Sequence, residues 1–376
     1  MSALRSIALR LAKGADQVAA HLPKAGSFRP LRGAFSACRE LREGRLAGEI
    51  LLEGQTTGPC PAGSITARCG MSQHDHQPWP VFWTRSDDAR LAGRLLHWRD
   101  PADRICLEGC YHFPGRRRLG EDRLLAQLVV PGGTPLPGAW TSLASNWGDG
   151  KNYFHWLTDN LTRLWVRDRL PEATRILIPA SGARYVRESL EILGISDLCE
   201  AREDACLRPE RFYFCSPLAM TGVWNPLGWD WLRQAFAASF RPPGAGRPVF
   251  LTRRASSRVP EELARIEATL AAAGFDIVDC GKLGFREQIE ATSGAPAIAG
   301  IHGAAMTNIL WARPGTPVLE IFQPAYLNAC YEQIAFQGGL VYTALVLEGS
   351  DPLGALDEWL AREVRSSARS DAGSHS

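Results

Sequence analysis

GIHGAAMTNILWARPGTPVLEIF, residues Gly300 to Phe322, is the stretch on which the fold reading turns. Pro296 to Ile301 reads as a buried apolar strand, Gly303 as a tight turn, Ala304 to Trp311 as a helix and Pro317 to Phe322 as the next strand. Upstream, PVFLTRR (Pro248 to Arg254) is a strand that ends in two arginines, with Arg258 just before a further helix. Pro260 suits the first turn of that helix, Glu261 and Glu262 its N-terminal dipole, and Gly274 its C-terminal cap. FDIVD (Phe275 to Asp279) then reads as a strand and Phe285 to Thr292 as a helix. The order is βαβαβ, which predicts an α/β fold: a parallel sheet with helices on both faces and a ligand site outside the carboxyl ends of the strands.

Those strand ends carry the charged and polar groups. Arg253, Arg254, Arg258, His302, Gly303 and Glu320 all fall at or near them, so one crevice can hold them together. Guanidinium forks pair with phosphate oxygens, the first N–H groups of the helix from Ala304 attract an anion, and a carboxylate at Glu320 can take both hydroxyls of a ribose. The set suits a nucleoside diphosphate. Taken alone, three arginines also fit a solvated surface cluster, and Glu320 also fits a partly buried ion pair.

A third segment, NYFHWLTDNLTRLW (Asn152 to Trp165), reads as the start of a helix over Tyr153 to Leu170. Asn152, His155, Asp159 and Arg163 then fall three and four residues apart and form one polar stripe against a largely apolar body. A histidine next to a carboxylate suits general base work, with Asp159 the first candidate for the base and His155 its rival. An i,i+4 pair on a solvated face is the plain alternative.

Taken in chain order, the three segments resemble glycosyltransferase family 61, in its bacterial-type members, over roughly residues 140 to 345. The family pattern runs as Asn-x-x-His-Trp with a following Asp and Arg, an arginine-rich strand end, and a Gly-x-His-Gly-Ala turn followed by Thr-Asn and a Pro-Gly-Thr strand. Met306 replaces the usual leucine, and Pro260-Glu261 replaces a common asparagine-glutamate pair. The resemblance implies a GT-B-like fold, two Rossmann-like α/β domains facing a central cleft. It also implies an inverting hexosyl- or pentosyltransferase without metal or other cofactor. The donor expected is a nucleotide diphosphate sugar, a UDP-sugar foremost, and the acceptor a glycan or lipid-linked glycan in capsular or exopolysaccharide assembly. Asp159 and His155 are the implied catalytic residues. Asn152, Arg163, Arg253, Arg254, Arg258, His302, Gly303, Ala304, Thr307, Asn308 and Glu320 are the implied substrate contacts. A non-catalytic nucleotide-sugar-binding or scaffold protein would keep the arginines and His302 without needing Asp159. A nucleotide-sugar-modifying enzyme would need a glycine fingerprint after the first strand, which PVFLTRRASSR lacks.

The remainder of the chain sets the frame. The 376 residues, 45% hydrophobic and 22% charged, suffice for two domains. Residues 1–240 read as an acceptor and catalytic-base domain with a β-rich lead-in over 1–125, and residues 241–350 as the nucleotide-sugar domain. The proline-glycine run RPPGAGRP (Arg241 to Pro248) forms the boundary. Residues 351–366 read as a helix and 367–376 as a disordered tail. A net charge of +2 without aromatic-basic interleaving gives no sign of nucleic acid. Ten scattered cysteines read as reduced thiols. Neither Cys106, Cys110 and His112 nor His74, Asp75 and His76 makes a paired zinc pattern. Arg5, Arg10 and Lys13 interrupt any signal-like apolar core, which suits a cytoplasmic protein, and Leu4, Ile7, Ala8 and Leu11 line one helical face beside them, which suits peripheral contact at the inner membrane face.

Overall fold

The alternation around residue 300 closes into a sheet of five parallel strands, seen in a computed structural model that describes residues 34–52, 65–68, 80–92, 96–102, 104–110, 133–144, 150–202, 206–220, 223–224, 226–243, 245–254, 259–349, 351 and 353–364. The strands preceding this sheet are β1 (Ala34–Phe35), β2 (Ala47–Leu52), β3 (Val81–Ser86), β4 (Arg90–Ala92), β5 (His97–Arg99), β6 (Ile105–Cys106), β7 (Thr134–Ser142), β8 (Arg175–Ile178), β9 (Cys199–Ala201) and β10 (Cys206–Cys215). They form one mixed sheet. A hairpin of β11 (Ala219–Met220) and β12 (Val223–Trp224) follows. The parallel sheet itself comprises β13 (Val249–Leu251), β14 (Asp276–Val278), β15 (Ile298–Ile301), β16 (Pro317–Phe322) and β17 (Val341–Val346).

Its spatial order is β14-β13-β15-β16-β17. The chain leaves β13 towards β14 and then returns to the other side of β13 with β15, so the connections diverge between β13 and β15. In an open α/β sheet this switch point, at the carboxyl ends, is where a ligand sits. In the mixed sheet, β10, β7, β8 and β9 run parallel, whereas β3 and β4 pair antiparallel with β10. The β-rich lead-in therefore extends this sheet and does not stand apart from it.

Side chains alternate between the two faces of a strand, and the cores follow that period. Phe250, Ala299, Leu319 and Ile321 face the helices Leu263–Ala272 and Gly354–Trp359. Val249, Leu251, Ile298 and Val318 face the helices Phe285–Ser293, Ala304–Trp311 and Cys330–Gln337. This second core does not stop at the boundary expected near residue 240. It continues through Trp156, Leu157, Trp229, Leu232 and Phe236 to Leu143 and Ile176 of the mixed-sheet half.

Polar groups join the halves as well. Glu188 accepts from the Phe285 N–H at 2.6 Å and so caps a helix of the parallel-sheet half. Arg233 donates to the carbonyls of Leu310 at 2.8 Å and Ala312 at 2.6 Å, at the end of Ala304–Trp311. Tyr153 donates to Asn308 Oδ1 at 2.8 Å. Burial pushes the Glu188 carboxyl up, but the Phe285 N–H and Arg184 outweigh it and hold the carboxyl below the usual range.

Candidate functional site

Register decides which of the strand-end residues meet. Leu251 pairs with Gly300, and Gly300 with Glu320. Two residues further along each strand, Arg253, His302 and Phe322 fall on the same face. There the Arg253 guanidinium donates to the His302 carbonyl, and the His302 N–H donates to the Ile321 carbonyl at 2.8 Å. Arg254 has the opposite parity. It makes a two-pronged pair with Glu267 of the helix Leu263–Ala272, at 2.9 and 2.5 Å, away from His302. That pairing, first through the Arg254 side chain, holds the Glu267 carboxyl below its usual range. The expectation that Arg253 and Arg254 share one crevice fails on this alternation. Arg258 lies outside the described residues.

His302 is fixed from behind. Its Nδ1 lies 2.5 Å from Glu320 Oε1, and Tyr342 donates its hydroxyl to Glu320 Oε2 at 2.5 Å. Burial pushes the Glu320 carboxyl above its usual range, against the opposing pull of His302 and Tyr342. Burial also lifts the Tyr342 phenol well above its ordinary value, so it keeps the proton it donates. Glu320 is 0% exposed with both oxygens occupied, so it does not present a carboxylate to a ribose; it orients the histidine. Phe322 stacks on the His302 ring at 4.9 Å, with Tyr326 at 5.3 Å and the edge of Tyr331 at 5.5 Å.

The segment after His302 keeps a close approach open. A Cβ on Gly303 would collide with the Arg253 guanidinium, and one on Gly300 with the Met306 sulfur. Ala304 opens the helix Ala304–Trp311 at the exposed side, and tight turns follow, with the Met306 N–H on the Gly303 carbonyl at 2.9 Å. Thr307 and Asn308 are buried and do not face the crevice. Thr307 donates to the Ala304 carbonyl at 2.7 Å. Asn308 Nδ2 donates to Gln288 at 3.0 Å, and its Oδ1 accepts from Tyr153 at 2.8 Å and the Trp311 indole at 3.2 Å. Their place in the motif is structural: they hold the helix and the two halves together.

The helical stretch from Tyr153 to Arg169 is less regular than its spacing suggests. One α turn, Tyr153–His155, gives way to a wide π turn, Trp156–Asn160, and then to tight turns over Leu161–Arg169. Asn152 caps it, accepting from the Phe154 N–H at 3.0 Å. His155 Nδ1 and Asp159 Oδ2 are 2.8 Å apart, and Thr158 donates to Asp159 Oδ1 at 2.7 Å. The Asp159 side chain is 0% exposed and that of His155 15%. Arg163 leaves the expected stripe: it turns inward to the carbonyls of Asp159 at 3.2 Å and Cys215 at 3.1 Å and lies over the Phe214 ring. Phe154 links the two histidines, with its ring 5.1 Å from His155 and 5.6 Å from Tyr331, whose edge meets His302.

The family model described as Glycosyltransferase 61 matches residues 153–319, which take in His155, Asp159 and His302 and end within β16, one residue before Glu320. This chain carries a glycosyltransferase 61 domain. The chain is similar to Beta-1,2-xylosyltransferase of Arabidopsis thaliana, 32% identical over 83 residues, which cover 22% of this chain and 16% of that protein. It is also similar to Beta-1,2-xylosyltransferase RCN11 of Oryza sativa subsp. japonica, 35% identical over 68 residues, 18% of this chain and 13% of that protein. The chain thus matches less than a fifth of the length of either relative.

Among the described residues, no group of three or more His, Cys, Asp or Glu side chains is placed to hold a metal ion, and no helix is long and apolar enough to cross a membrane. Cys106 is buried in the core of the mixed sheet. His74, Asp75, His76, His112 and the amphipathic segment around Leu4 to Lys13 lie outside the described residues, as does the tail 367–376. Sequence reading missed Tyr326, Tyr331 and Tyr342, which surround His302 and Glu320. For Tyr342 the available signal was register: β17 runs parallel to β16, and Tyr342 opposite Val318 is a diagonal neighbour of Glu320 on the same face.

Proposed function

We propose that this chain is an inverting glycosyltransferase that moves a sugar from a nucleotide diphosphate donor to a hydroxyl of a glycan or lipid-linked glycan. The observation that carries the reading is the pairing of two histidines, each backed by a buried carboxylate, across Phe154 and Tyr331, with Arg253 beside one of them at the switch point of the parallel sheet. Arg253, His302 and the N–H groups following Gly303 bind the donor diphosphate.

His155 is the base and Asp159 its orienter. A base has to reach the acceptor hydroxyl, and His155 is the partly exposed member of the pair, whereas Asp159 is buried with both oxygens engaged. The acceptor oxygen attacks the anomeric carbon from the side opposite the diphosphate, and its proton passes to His155. The bond from the anomeric carbon to the diphosphate oxygen breaks, and the electron pair stays on the diphosphate, where Arg253 and His302 stabilise the charge. In this reading no divalent metal is needed.

A pentose donor stands beside the hexoses as a candidate because the two relatives named above are xylosyltransferases. The setting in cytoplasmic capsular or exopolysaccharide assembly, a UDP donor, and a division into acceptor and donor domains rest on the family resemblance alone. Calorimetric titration with nucleoside diphosphates in excess chelator, for the wild type and Arg253→Ala, tests the donor site. Metal-free binding of one diphosphate, weakened about tenfold or more in the variant, is the expected result. Absence of binding for every diphosphate would sink the reading.

A further inference from the structure

Large apolar side chains with more than a third of their surface exposed are few among the described residues: Val259, Tyr326, Phe336 and Val341. Only two of these carry aromatic rings. Phe336 ends the helix Cys330–Gln337, which leads back to the start of β17, so it lies towards the amino ends of the strands. Tyr326 lies on the loop that follows β16, at the carboxyl edge, where ligands of such sheets bind. Its backbone N–H closes a turn on the Gln323 carbonyl at 3.1 Å, so the ring projects from an ordered bend.

The surroundings of Tyr326 differ from those of a surface tyrosine chosen at random. Its ring lies 5.3 Å from the His302 ring at 50°. His302 contacts two other aromatic rings, and both are buried: Phe322 at 0% and Tyr331 at 3% exposure, against 44% for Tyr326. The cluster therefore shows one aromatic ring to the outside, beside the histidine that the proposed function places on the diphosphate.

We infer that Tyr326 is a stacking platform for a ring of the donor, and so a determinant of donor choice next to the diphosphate site. A diphosphate held at His302 and Arg253 has a ring on either side, the nucleobase and the transferred sugar. Both offer a flat or C–H-lined face that an aromatic ring binds. The inference rests on the donor reading given above.

The test is titration of the full chain and of Tyr326→Ala and Tyr326→Phe, in chelator, with inorganic diphosphate, UDP, GDP, ADP and the xylose and glucose conjugates of UDP. Tyr326→Ala is expected to weaken ring-bearing ligands about tenfold, as loss of one stacked ring does, to leave inorganic diphosphate unchanged, and to be rescued by Tyr326→Phe. A loss already present with the nucleoside diphosphate assigns the platform to the base. A loss present only with the nucleotide sugars assigns it to the sugar. Unchanged binding of every ligand overturns the inference while leaving the donor site intact, and so does an equal loss for inorganic diphosphate, which would mean a role in holding the loop. If the wild type binds no phosphate ligand at all, the donor reading itself falls.

Discussion

Asp159 and His155 show how burial sorts two residues that spacing leaves equal. Four positions on a helix bring the groups together, but only the depth of each tells which one can meet a substrate. His155→Ala should lower turnover about a hundredfold or more while donor affinity, read by calorimetry, stays within a factor of about three. Equal turnover in the variant would remove His155 from the chemistry. Asp159→Asn should also impair turnover, because an amide supports a different ring tautomer of His155. Burial pushes the Cys199, Cys215 and Cys280 thiols up to about 12, so at neutral pH they stay protonated and poor nucleophiles. Mass spectrometry after brief treatment of the native protein with iodoacetamide should find these three unmodified and should find them labelled once the chain is unfolded.

The elements that carry the site were legible because strand and helix periods are local. The parallel sheet, the turn at Gly303 and the helix Ala304–Trp311 all follow from residues within one window. What was not legible needs distant partners. Arg253 and Arg254 look equivalent until the pleat sends one to His302 and the other to Glu267, and Glu320 looks available until Tyr342, a strand away, takes its second oxygen. The Thr-Asn pair reads as a ligand contact in sequence, yet Asn308 proves to be a buried knot. Asn308→Ala would strand several of its partners inside the core and should cost about 3 kcal/mol in chemical denaturation. A loss of donor affinity with stability unchanged would instead return Asn308 to the binding surface. The two glycines separate along the same line. Gly300→Ala puts a methyl into the sulfur of Met306 and the Leu251 backbone, costing about 1–3 kcal/mol. Gly303→Ala meets first the far end of the long Arg253 side chain, so it should leave unfolding nearly unchanged and weaken diphosphate binding about tenfold.

Across the whole molecule, two helix ends of one half are satisfied by side chains of the other, Glu188 and Arg233, and Glu188 is the one of the two that titrates in acid. Its carboxyl is held below the usual range, so the contribution is present above the ordinary carboxylate pKa and is lost as pH falls through the lowered value. The melting temperature should therefore fall on acidification below about pH 5, and Glu188→Gln should lose part of that acid sensitivity. An unchanged pH profile in the variant would assign the effect elsewhere. The apolar cluster that runs from Leu143 and Ile176 through Trp229 to Val318 carries a further consequence. A cut in the proline-glycine run at 241–248 would lay open, on both fragments at once, a greasy seam of indole and phenyl rings. Neither fragment expressed by itself should remain dispersed in water, whereas the two made together in one cell should find each other and reassemble.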